Sequence, residues 1–83
     1  METTVSRHLF LSFPETLVTQ PLIFTAAKRF DVLPNIRRAN VEEQSGWVVL
    51  ELDGSDEAVQ AAVDFWRETG VQVNRMEGDI LSG

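Results

Sequence analysis

Eighty-three residues leave room for one domain with one core, which buries about 60–65% of the surface its unfolded chain exposes. Thirteen acidic residues against seven basic ones give a net charge of −6, which repels nucleic-acid phosphates and anionic membrane surfaces. The absence of cysteine excludes a disulfide framework and a thiolate metal site, and no apolar stretch approaches the roughly 20 residues that span a bilayer.

Val5–Phe13 reads as the first strand. Val5, Leu9, Leu11 and Phe13 share one parity and Ser6, His8 and Ser12 the other. Pro14 ends it by removing a ladder donor. Thr19 is the expected N-cap of a first helix, with Pro21 in its opening turn. That helix runs to about Phe30 on a stripe of Ile23, Ala26, Ala27 and Phe30. Asp31 and Pro34 bracket its exit.

Asn35–Glu43 is a second strand with conflicting parities: Arg37, Ala39 and Val41 alternate together, and Ile36 falls on the other side. A bulge near Arg37-Arg38 would reconcile them. Gln44-Ser45-Gly46 reads as a hairpin turn into a third strand, Trp47–Asp53. Ser55 caps a second helix, Asp56 and Glu57 suit its positive end, and Val59, Ala62, Val63 and Trp66 form its core stripe. Gly70 is the expected glycine just past its C-terminus, and Val71–Met76 the last strand, with Val71 and Val73 inward.

The order β-α-β-β-α-β predicts an α+β, ferredoxin-like sandwich: a four-stranded antiparallel sheet, strand order 4-1-3-2, with two helices on one face. One domain over 1–83 is expected, with an ordered core at about 5–77 and a loose tail at 78–83. The Met1–Phe13 start is no signal peptide, and a soluble cytoplasmic protein is expected.

Catalysis finds little support. His8 is the only histidine and sits on a polar strand parity. No Gly-x-Ser-x-Gly turn, phosphate-binding Gly-rich loop or three-ligand metal spacing occurs, so neither enzyme activity nor a cofactor or metal is expected. Arg37 and Arg38 are adjacent on a strand and diverge, so they form no stripe for nucleic acid.

Two regions suggest binding. If Leu9, Leu11, Val48 and Leu50 meet the helices, Phe10, Trp47 and Val49 share the outer sheet face, where clustered aromatics mark an association surface and suggest a homodimer. The second region is the turn into the first helix, with Gln20 and Pro21, facing the start of the second strand. Helix N-terminal N–H groups favour a carboxylate, and Asn35 offers a donor and an acceptor nearby, though on composition alone a turn after Pro34 is the better explanation of it.

The run Gln20-Pro21-Leu22-Ile23, then Phe30-Asp31-Val32, Asn35-Ile36-Arg37 and Ala39-Asn40-Val41-Glu42-Glu43, resembles the NIL domain. So do Gly46 with Val48–Gly54 and the closing Gly70-Val71-Gln72-Val73. The resemblance covers roughly Leu9 to Val73. It implies an ACT-like regulatory domain of the kind found at the C-terminus of methionine-importer ATPase subunits and in some ferredoxins, hence a transporter or ferredoxin-type partner protein. It also implies methionine as ligand, with Asn35, Ile36, Arg37, Gln20 and Pro21 as site residues. The family's naming tripeptide is Asn-Ile-Leu; here Arg37 replaces the leucine. No ATPase or ferredoxin motif accompanies it, so a stand-alone domain or a fragment is expected. The reading is a non-catalytic module that senses an amino acid; the alternative is a ligand-free interaction or dimerisation module working through Phe10 and Trp47.

Overall fold

A computed structural model describes residues 4–17, 20–42 and 44–76. Its elements are β1 (Thr4–Pro14), a short 3-10 turn (Glu15–Leu17), α1 (Leu22–Phe30), β2 (Leu33–Val41), β3 (Ser45–Ser55), α2 (Asp56–Thr69) and β4 (Gln72–Arg75). The sheet is antiparallel with order β2-β3-β1-β4, the expected ferredoxin-like order read from the other edge.

β1 and β3 are central, and they carry the cleanest alternation for that reason. Leu9 stands opposite Leu50 and Leu11 opposite Val48, all buried under the helices. The bulge falls at Arg37: Ile36 pairs with Leu50 and Arg38 with Val49, so one extra residue on β2 reverses the parity between them. Ile36, Ala39 and Val41 thereby share the helix-facing side, opposite Leu50, Val48 and Gly46.

Several boundaries move. β3 begins at Ser45, inside the expected turn, because the Glu42 N–H donates to the Ser45 carbonyl at 2.8 Å and closes the hairpin earlier. Pro21 is the N-cap of α1 rather than a residue of its first turn, and a proline has no side-chain acceptor to cap with. The expected Thr19 cap and the tail at 78–83 lie outside the described residues.

α2 follows the sequence pattern closely. The Ser55 hydroxyl accepts from the Ala58 N–H at 3.1 Å, and Gly70 ends the helix at φ 116°. Trp66 is fully buried, and its indole N–H donates to the Leu22 carbonyl at 2.9 Å, tying α2 to the first turn of α1. In α1 the deep residues are Leu22 and Ala26; Ile23 and Phe30 lie at the core margin.

Candidate functional site

β2 is an edge strand, and α1 does not fully cover it. Ile36 is 52% and Val41 67% exposed although both point to the helix side, and Phe24 on α1 is 67% exposed. Between them lies an apolar groove of about 260 Å³. Pro21, Leu22, Ile23 and Phe24 wall it from α1; Ile36, Ala39 and Val41 from β2; Phe13, Gly46, Trp47 and Val48 close its floor and end. Gln20 supplies the one side-chain amide of the lining. The groove sits at the N-terminus of α1, whose first turn holds no acidic residue, so the positive end of the helix dipole is not offset locally.

Of the residues singled out from the sequence, the groove brings together Gln20, Pro21 and Ile36. Asn35 and Arg37 do not line it. Asn35 pairs with Glu51, an outer-face position, and Arg37 Nη2 lies 3.5 Å from Glu51 Oε1. The bulge causes this split: Ile36 keeps the helix-facing side while Arg37 is displaced toward the outer face. Phe24, Val41 and Phe13 join the lining without having been expected there. Val41 shows as a groove residue only once the bulge is counted, and Phe24 stands off the apolar stripe of α1, a signal that something other than the core claims it.

The outer face carries the expected aromatics. Phe10 and Trp47 stack with ring centroids 5.6 Å apart and planes 17° from parallel, and Phe10 pairs directly with Val49. All three are half-buried. Beside them His8 Nε2 lies 2.8 Å from Glu51 Oε2, a cross-strand pair that Arg37 extends. Among the described residues no three His, Asp or Glu side chains gather to hold a metal, and no helix is long and apolar enough to cross a membrane.

Fold and groove together define a ferredoxin-like α+β sandwich whose edge strand β2 is left partly uncovered on its helix side. The family model of the NIL domain matches residues 7–75, and the chain belongs to that family. It is 35% identical over 69 residues to the methionine import ATP-binding protein MetN 2 of Acinetobacter baylyi, an alignment covering 78% of this chain and 20% of that protein. The chain thus spans about a fifth of the length of that relative. The C-terminal domain of an ABC transporter ATP-binding protein from Enterococcus faecalis superposes with a TM-score of 0.74 at 19% identity, covering 84% of this chain and 82% of that one. At that identity the likeness is one of fold.

Proposed function

We propose that this chain is a non-catalytic regulatory domain whose α1–β2 groove binds an amino acid with an apolar side chain, methionine being the first candidate. The observation that carries the reading is the groove: exposed Ile36, Val41 and Phe24 around an apolar hollow that the protein's own side chains leave unfilled. Its volume of about 260 Å³ falls just below the usual range of ligand sites, about 300–1,000 Å³, which suits an amino acid rather than a cofactor. The ligand's side chain lies against Ile36, Val41 and Phe24, and its carboxylate faces the N-terminus of α1 beside Gln20 and Pro21. Asn35 and Arg37, on the outer face, are left out of this site. The choice of methionine draws on the relative's name. From the family resemblance we infer further that the domain works in the cytoplasm, as a single unit over 1–83, on a transporter or ferredoxin-type partner protein.

The test is calorimetric titration with methionine, and with aspartate as the polar control, on wild type and Ile36→Lys. Ile36 is half-exposed, so the lysine leaves the core intact, yet it brings an ammonium to the groove wall. Methionine should bind wild type and the variant roughly tenfold or more weakly, since displacing or desolvating the charge costs over 1.4 kcal/mol. No methionine binding at millimolar concentration ends the sensor reading.

A second reading has its own observation, the stacked Phe10–Trp47 pair on the sheet face opposite α1 and α2. On this reading Phe10, Trp47 and Val49 form a homodimer interface, with or without a ligand. Sedimentation equilibrium up to high micromolar concentration decides it; a wild-type chain that stays monomeric removes it.

A further inference from the structure

We propose that the cleft between α2 and the β1–β4 edge is a second site, independent of the groove, for a small doubly charged oxyanion such as a phosphate monoester or a short dicarboxylate. The cleft measures about 350 Å³; Leu9, Val63 and Val73 form its floor, and Arg7, Arg67 and Arg75 stand around it. Strand register brings these three together. Leu9 stands directly opposite Arg75, so the side chains of Arg7 and Arg75 occupy diagonal positions on the helix-facing side. Arg67 reaches down from α2 and donates through Nη2 to the Val73 carbonyl at 3.0 Å, two residues before Arg75.

Gathering like charges in this way is unfavourable unless an opposite charge sits among them. Among the described residues the acid in the lining is Asp56, whose Oδ1 lies 3.4 Å from Arg7 Nη2. Among the described residues, three guanidinium groups against one carboxylate leave two positive charges, in a chain of net charge −6 that has only seven basic residues. Arginine stems do cover apolar floors, and that accounts for any one of them. It does not account for three of seven cations converging on one concave site. Guanidinium forks bind carboxylate and phosphate oxygens in pairs, and a dianion answers the local excess of two.

The overall charge selects the size of the occupant. Screening at physiological ionic strength acts over about 8 Å, so a small anion in the cleft feels chiefly the three arginines. An acidic macromolecule would also meet the acidic remainder of the surface.

The test is an amide NMR titration of the full 83-residue chain, acidic residues beyond Met76 included, with inorganic phosphate and with succinate at ionic strength held constant with sodium chloride. We expect saturable shifts centred on β4 and on the face of α2 bearing Gln60 and Arg67, with millimolar affinity for at least one anion. The tighter of the two assigns the site to phosphates or to carboxylates. Arg75→Gln, an exposed change, should weaken binding roughly tenfold, the worth of one charge-assisted hydrogen-bond pair. Arg67→Gln should do the same, but it also frees the Val73 carbonyl, so Arg75→Gln is the deciding variant. Lys28→Gln, at the far end of α1, should change nothing. Non-saturating shifts with both anions, an unaltered Arg75→Gln, or an equal loss in Lys28→Gln each overturn the proposal.

Discussion

Trp66 is the residue on which both helices depend, and two substitutions separate its contributions. Its side chain is fully buried and its N–H reaches the Leu22 carbonyl at 2.9 Å across 44 residues of sequence. Trp66→Ala removes the ring and the donor together, at about 3–5 kcal/mol for a buried Trp→Ala change. A domain of this length has roughly 4–12 kcal/mol in total, from about 0.05–0.15 kcal/mol per residue. The alanine variant therefore loses a large share of its stability and is partly unfolded if the total lies at the low end. Trp66→Phe is more informative. The phenyl ring lacks three ring atoms of the indole, about 2 kcal/mol by area. The lost hydrogen bond adds only about 1 kcal/mol, because the Leu22 carbonyl stands in a helix whose ladder serves it as well. Phenylalanine should thus cost about 2–3 kcal/mol in all, a melting shift of roughly 10–20 °C for a domain of this size. Urea melts followed by circular dichroism measure both variants without relying on the deleted fluorophore. A Trp66→Ala loss under about 1 kcal/mol, or a Trp66→Phe loss within about 0.5 kcal/mol of zero, would refute the packing of Trp66 between the two helices.

Gly54→Ala should destabilise by about 1–3 kcal/mol, because the new Cβ would come within 3.0 Å of Val32 Cγ1 and 3.6 Å of Val59 Cγ2, both in the core; an unchanged urea midpoint would show that Val32 gives way freely. Arg37→Leu, which restores the family's residue, should leave methionine affinity within about twofold, under about 0.5 kcal/mol, since Arg37 reaches Glu51 on the outer face and not the groove; a tenfold change would mean that Arg37 faces the ligand.

Much of the architecture is written in alternation. β1 and β3 are buried on one face and half-open on the other, so period-two patterning locates them, and it agrees with the central places that the ferredoxin-like strand order gives them. A bulge near Arg37-Arg38 would reconcile the parity conflict with Ile36, and the register shift is found at that position. Other features have weaker signals. Gln44-Ser45-Gly46 has turn composition, but composition does not say which carbonyl closes the hairpin; the Glu42–Ser45 hydrogen bond does, and it leaves Ser45 and Gly46 in the strand. Leu22 escapes the apolar stripe because the stripe read from the sequence begins at Ile23; the buried face runs through Leu22 and Ala26, one position earlier. The groove is the least legible feature. Patterning tells which side of β2 faces the helices, but not whether a helix arrives to cover it. Ile36 and Val41 look like core residues until α1 is seen to stop short of them.

Leu22 is where the groove and the core meet. Its side chain is buried and lines the groove, while its carbonyl accepts from Trp66. The position of the α1 N-terminus over the groove is therefore held from the other helix by one hydrogen bond and the ring that carries it. On the sensor reading, a ligand pressed against Leu22 at the sheet edge bears on the joint between α1 and α2. Occupancy then has a physical route to the far side of the domain that requires no large motion, because a close-packed interior transmits small displacements. A ligand alters the domain only by its differential affinity for two arrangements of that joint. Trp66→Phe loosens the joint without touching the groove wall, so it also serves to measure the coupling. If the Leu22 position set by Trp66 is the one methionine selects, the phenylalanine variant, melted with and without ligand, should gain less stability from methionine than wild type does. An equal gain in both would show that the groove acts alone and that any regulatory signal leaves the domain by its exposed edge, through β2.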